Sequence, residues 1–145
     1  MKVKIKQVEG LTFVGKADSN HWVITDGPKE FYGSDAASRP MELLLIALGT
    51  CTGSDVASIL QKKRVKPAKF EINVEGERQK THPRVFTKIH LEYVFYGNDI
   101  DEKSVERAID LSQDKYCSVS AMLTKADVSI DYSYRIVKDQ SNIGL

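Results

Sequence analysis

The chain predicts an α+β fold, an antiparallel sheet wrapped around one long central helix, in the order β-β-β-α-β-β-α-α-β. Three observations carry this. Apolar and polar residues alternate at period two in both the first and last thirds of the sequence. A proline-free stretch from Met41 to about Lys63 separates them and is too long for a strand. Two further runs, after Asp99 and after Cys117, place apolar residues at helical spacing.

The first strand sets Val3, Ile5 and Val8 against lysines, and Leu11–Val14 and Trp22–Ile24 give the second and third. Glu9-Gly10 and Ser19-Asn20 supply the turns between them. Asp26-Gly27-Pro28 closes the set and opens a loop of small and polar residues through Ser38. Pro40 suits the first turn of a helix, where its missing N–H costs nothing, and Glu42 suits the positive end of the helix dipole.

The first half of that helix, Leu43 to Leu48, is apolar on every side, so it needs cover all round. A homodimer burying it between two chains would provide that cover. Gly49 and Gly53 bracket Cys51, each at a cost of about 1 kcal/mol in helix propensity. Close approach of another backbone, such as a second subunit's, or a plain kink would account for them.

Phe70, Ile72 and Val74 form one arm of a hairpin, and Val85, Thr87, Ile89, Leu91, Tyr93 and Phe95 the other, with a turn near His82-Pro83. Asp99 to Glu102 reads as a helix start. Ser118 is positioned to cap a short helix through Val119, Met122 and Leu123. Val128, Ile130, Tyr132, Tyr134 and Ile136 alternate in a last strand. All 145 residues fit one domain: strands and loop over 1–37, the body over 38–137, and a frayed tail over 138–145.

Composition excludes several classes. A net charge of +1 points to no nucleic-acid partner, and Lys62-Lys63-Arg64 reads as a solvated helix end. Lys2-Val3-Lys4-Ile5-Lys6 lacks the apolar core of a signal peptide, and the longest uninterrupted apolar run, Leu43–Leu48, falls short of the ~20 residues of a membrane span. A cytoplasmic protein without membrane contact is the expectation. His21, His82 and His90 are widely spaced and, with two distant cysteines, match no zinc pattern. His90 reads as a surface or half-buried strand residue, and Asp55 as a helix-face charge or a hydrogen-bond partner one turn after Cys51. Trp22, Tyr93, Phe95, Tyr132 and Tyr134 read as core.

Cys51 and Cys117 are the residues with chemistry to offer. Peroxide reduction needs a thiolate and a second thiol to trap the sulfenic acid. Cys117 stands next to a helix start, a place that lowers a thiol pKa. A buried cysteine acting as a small hydrophobe is the bland alternative. A permanent bridge between the two would close a long loop, worth ~4 kcal/mol in the chain-entropy model, but a reducing compartment argues against it.

The run Ser38-Arg39-Pro40-Met41-Glu42-Leu43 through Gly49-Thr50-Cys51 resembles the central-helix motif of OsmC/Ohr proteins, the osmotically inducible and organic hydroperoxide resistance family. Lys115-Tyr116-Cys117-Ser118-Val119-Ser120 resembles the family's second motif, and Val8–Phe13 the opening strand of an uncharacterised OsmC-like branch. The resemblance implies an intertwined homodimer that reduces organic hydroperoxides. In it Cys51 reacts, Cys117 forms the resolving disulfide, a dithiol such as a lipoyl-linked one is the reductant, and neither metal nor organic cofactor takes part. In the family an arginine on an N-terminal strand, held by a helix glutamate, supports the thiolate. Here no arginine precedes Arg39, and Met41 stands where the pairing acid is usual, with Glu42 beside it. Arg39 and Glu42 are the supporting candidates, with Lys16 as a substitute cation that lacks the bidentate fork. A non-enzymatic dimer of the same fold binding a small apolar ligand is the alternative.

Overall fold

The computed structural model describes residues 1–138, so most of the tail set apart at 138–145 lies outside the described residues. The order of elements is the expected one: β1 (Val3–Glu9), β2 (Thr12–Ala17), β3 (Trp22–Thr25), α1 (Pro40–Lys62), β4 (Lys69–Arg78), β5 (Phe86–Tyr96), α2 (Glu102–Leu111), α3 (Ser118–Lys125) and β6 (Ser129–Val137). The chain forms two compact units, one from Met1 to Leu44 and the other starting at Leu45, so the first turn of α1 is counted with the N-terminal unit.

In the N-terminal unit β1, β2 and β3 make an antiparallel meander. Its register places Val3, Ile5, Phe13 and Val23 on one face, and all four are exposed. Trp22 corrects the sequence reading. It is 60% exposed, lying on the opposite face beside the Lys16 ammonium, 5.2 Å from the ring centre. The loop after β3 is tied by Asp26, whose carboxylate accepts N–H bonds from Gly27, Ser34 and Ala36. Burial alone would raise its pKa, but those backbone donors hold it below the usual carboxylate value.

The second unit holds a separate three-stranded sheet, β4-β5-β6, so the single antiparallel sheet expected from sequence is in fact two. β4 and β5 are antiparallel, whereas β5 and β6 are parallel, Leu91 facing Tyr132 and Tyr93 facing Tyr134. The connection explains the difference. A tight turn can only reverse a strand, but the chain between β5 and β6 contains two helices, long enough to carry it back to a parallel start.

Two details of the sequence reading shift by a residue or two, each for a local reason. β5 carries a bulge at Thr87, since Lys88 pairs with Glu77 and Phe86 with Arg78. One extra residue inverts the alternation beyond it, which buries Phe86 and exposes Val85. The cap of α2 is Asp101 rather than Asp99, its carboxylate accepting the Ser104 N–H at 3.1 Å.

Within this unit α1 presents a stripe at four-residue spacing, Leu48, Thr52, Val56 and Leu60, each at most 1% exposed. The core also includes Ile89, Leu91, Tyr93 and Phe95 of β5 and Val105, Ala108 and Ile109 of α2. Phe70 stacks on Phe95, its register partner, at 4.5 Å between ring centres. Cover on α1 is incomplete, Ile46 remaining 51% exposed. By length and composition α1 also meets the requirements of a membrane span, with a window of mean hydropathy 1.7. Counting only uninterrupted apolar residues missed this. Its small and hydroxyl residues are nevertheless used inside the protein, against β4 and β5.

The two helix glycines find their explanation here. A Cβ on Gly49 would lie 3.0 Å from Val74, and one on Gly53 3.0 Å from Ile72. Within the chain, the close neighbours of both positions are side chains of β4. Replacing Gly53 by valine should therefore overpack this seam and cost about 1–3 kcal/mol. At roughly 2–4 °C per kcal/mol, a thermal melt would read a drop of several degrees, and an unchanged midpoint would show that the seam has room.

Candidate active site

Cys51 and Asp55 lie one turn apart on α1, each one position before a member of the buried stripe, so they share a half-buried face beside it. The second sulfur arrives from an unusual segment. α2 does not stop at Leu111 but widens into a single π-helical turn, Ser112–Tyr116, closed by the Cys117 N–H donating to Ser112 O at 2.8 Å. Such turns are rare and recur at functional sites.

Cys117, rather than the expected Ser118, then caps α3. Its backbone is extended (φ −70°, ψ 98°), and its sulfur accepts the Ser120 N–H at 3.4 Å. The two sulfurs are both free thiols and lie 3.2 Å apart. Asp55 joins them, one ligand atom from each of the three residues lying within 4.8 Å of the others.

Behind this cluster runs a buried chain of hydroxyls. Thr52 Oγ1 is 2.6 Å from Tyr93 Oη and 2.8 Å from Ser112 Oγ, and accepts from Gln113 Nε2 at 3.0 Å. Gln113 Nε2 also donates to Tyr93 Oη at 2.8 Å, and Gln113 Oε1 accepts from Ser120 Oγ at 2.8 Å. Ser112 Oγ donates to Asp55 Oδ2 at 3.1 Å.

Counting protons fixes every direction, because a hydroxyl has one hydrogen and two lone pairs. Ser112 spends its hydrogen on Asp55, so Thr52 must donate to Ser112. Thr52 has then used its own hydrogen, so Tyr93 must donate to Thr52. The chain runs one way, Tyr93 to Thr52 to Ser112, and ends on the Asp55 carboxylate. Among the described residues no buried side-chain polar atom lacks a partner.

The electrostatics separate the two thiols. Burial, first of all, pushes the Cys117 pKa from an ordinary 9.0 to about 11. The Cys51 sulfur beside it adds to the rise, while the Ser120 and Val119 backbone bonds pull the other way. The sequence expectation that the helix start would lower this pKa is thus overturned. Cys117 is 2% exposed, and desolvation outweighs two weak N–H···S contacts. At neutral pH Cys117 keeps its proton, and Cys51 is the more accessible sulfur.

The other sequence candidates have local roles. The Arg39 N–H donates to Glu42 Oε2 at 2.9 Å, a capping contact at the start of α1, and the Arg39 guanidinium pairs with Asp35 at 3.3 Å. His90 bonds Asp131 and Ser133 on the outer face of the C-terminal sheet, half-buried as read. Sequence reasoning missed Thr52, Ser112, Gln113 and Ser120, and took Tyr93 for plain core. The available signal was a threonine set in an otherwise apolar helical stripe. Its partners, in a segment whose π turn no periodicity announces, left none.

The architecture and site together define an α+β protein with a juxtaposed dithiol, one sulfur on a long helix and the other capping a short one. The chain belongs to the OsmC-like protein family, whose model matches residues 33–133. It is 44% identical over 137 residues to Protein YhfA of Escherichia coli strain K12, covering 94% of this chain and 98% of that one. A hypothetical protein from Aquifex aeolicus shares the structure with a TM-score of 0.81 at 34% identity, over 96% of this chain and 97% of that one. An organic hydroperoxide resistance protein OsmC from Legionella pneumophila shares the fold, with a TM-score of 0.64 at 13% identity over 94% and 97% of the two chains.

Two measurements check the site. Thr52→Val should leave Tyr93, Ser112 and Gln113 short of a buried partner and cost about 1–3 kcal/mol in urea unfolding, whereas a neutral result would mean that the hydroxyl chain is not needed for stability. The raised Cys117 pKa also has a signed consequence. Its stabilising contribution is complete below the unfolded thiol value and is lost as pH rises through about 11. The reduced protein should therefore lose up to roughly 2–3 kcal/mol more than Cys117→Ala between pH 8 and 11. Parallel curves for the two proteins would contradict the burial argument.

Proposed function

We propose that this protein is a thiol-dependent peroxidase that reduces organic hydroperoxides, with Cys51 as the reacting sulfur and Cys117 as the resolving one. The observation that carries the reading is the 3.2 Å separation of two free sulfurs, the more accessible of which is Cys51.

In the first step the Cys51 thiolate attacks an oxygen of the hydroperoxide. An S–O bond forms, the O–O bond breaks, and the alkoxide leaves as an alcohol after taking a proton. Cys51 is oxidised to a sulfenic acid. In the second step the Cys117 sulfur displaces the sulfenic hydroxyl and gives its proton to the departing hydroxide, leaving an S–S bond and water. A bond of 2.03–2.05 Å requires the sulfurs to close by about 1.2 Å. A dithiol then reduces the bridge, becoming a disulfide itself while both thiols are restored. The dithiol, lipoyl-linked or otherwise, enters only through the family resemblance, as do Arg39 and Glu42 as supporting residues.

The same reading includes a homodimer in the cytoplasm. Its support is apolar surface in need of cover: Val3, Ile5, Phe13 and Val23 on one sheet face and Ile46 on α1, all exposed.

Hydroperoxide consumption is the test. Cys51→Ser should abolish turnover of cumene hydroperoxide in the presence of a dithiol. Cys117→Ser should allow one turnover and then accumulate sulfinic and sulfonic acid at Cys51, read by mass spectrometry. Full activity in Cys51→Ser would end the proposal, and negligible turnover by the intact, reduced protein would favour the ligand-binding alternative.

A further inference from the structure

The cluster of Cys51, Cys117 and Asp55 has a property that peroxide chemistry does not use. It gathers two sulfur donors and a carboxylate oxygen, a donor set suited to zinc and similar thiophilic divalent ions. Among the described residues Asp55 forms no ion pair with lysine, arginine or histidine. Three groups able to act as anionic ligands therefore converge with no cation on the carboxylate, and a divalent cation would neutralise the charge they bring when bound.

We infer that the reduced protein binds one Zn2+ per chain through Cys51 Sγ, Cys117 Sγ and an Asp55 carboxylate oxygen, and that oxidation of the two sulfurs expels it. The second half rests on the pair being able to form a disulfide, as in the proposed function; the first half does not.

The geometry needs only small adjustments. Zinc–sulfur bonds of ~2.3 Å at tetrahedral angles put two sulfurs about 3.8 Å apart, so the pair would part by about 0.6 Å. A zinc–oxygen bond of ~2.0 Å sets the carboxylate oxygen about 3.5 Å from each sulfur. Asp55 is one helical turn from Cys51 and half-buried, so rotation of its side chain can supply that movement. The Ser112 hydroxyl already holds the carboxylate, the kind of outer contact that orients a metal ligand. Three protein ligands leave a fourth position open to water.

The chemistry balances. Two thiols lose two protons as the ion binds. A hydroperoxide and two protons later convert the two thiolates to a disulfide, an alcohol and water, with two electrons passing from sulfur to the O–O bond. A disulfide offers no thiolate, so the ion leaves. The metal-bound and disulfide states thus exclude one another.

The test titrates the full-length reduced protein with Zn2+ against a chromophoric zinc chelator, and with Co2+ as a spectroscopic probe. One ion per chain and thiolate-to-cobalt charge-transfer absorption are expected. Cys51→Ser and Cys117→Ser should each weaken binding at least ~100-fold, and Asp55→Asn ~10-fold with both thiols still titratable. Circular dichroism checks folding, and should a cysteine variant not fold, wild-type protein alkylated at its thiols takes its place. Failure to compete with the chelator, a cobalt spectrum without charge transfer, or equal affinity in Asp55→Asn would overturn the site. Retention of the ion by diamide-oxidised protein would overturn the gating. No peroxide enters the binding titration, so a failed peroxidase assay and a failed metal site are told apart.

Discussion

One buried oxygen holds the functional part of this protein together. Thr52 Oγ1 uses its single hydrogen and both lone pairs on three partners, from β5 and from the two opening residues of the π turn. No rotation of that hydroxyl improves its bonding, and no neighbour can move away without leaving a buried polar group unpaired. The position of Cys117 follows from this. Ser112 supplies the carbonyl that receives the Cys117 N–H, and Gln113 holds the Ser120 hydroxyl one turn into α3. Cys51 follows too, being the residue before Thr52 on a helix whose orientation the same oxygen fixes. Two sulfurs far apart in sequence thus meet because a chain of hydroxyl and amide hydrogen bonds ending on the Asp55 carboxylate, not an ion pair, joins the elements that carry them.

The same construction accounts for the unequal character of the two thiols. Its hydroxyl and amide members can be buried at little cost once all their hydrogen bonds are made, while its one charged member, Asp55, stays half-buried at the end of the chain. The cysteine anchored to it is buried as well and keeps its proton. The cysteine on the helix face next to the network stays within reach of small molecules. Different surroundings have given two chemically identical side chains different roles.

Much of this was legible in the sequence, and the boundary is a physical one. The strand and helix order followed from periodicity, which reports burial of one face and is carried by many residues at once. The cysteine pair stood out because few residues can do its chemistry. Pairing direction did not follow from pattern, since a strand such as Ser129–Val137 alternates the same way whether its neighbour is parallel or antiparallel. The bulge at Thr87 and the π turn at Ser112–Tyr116 each insert one residue against the local period, and such insertions show only through the contacts they permit. Thr52 was hidden for a related reason. A lone hydroxyl in an apolar stripe has meaning only when the groups facing it are known.

The parallel pairing of β5 with β6 also raises the entropic cost of assembling the second unit. The β4–β5 hairpin is local, whereas β6 reaches β5 across separations such as the 41 residues between His90 and Asp131. Such contacts must first overcome the entropy of closing a long loop, which makes them slow. Cys117 lies within that loop. That loop is also pinned from within, Ser112 and Gln113 reaching Thr52 of α1 and Tyr93 of β5, so the approach of the two sulfurs is itself a long-range step. A chain still emerging from synthesis carries Cys51 well before it carries the partner that completes the pair.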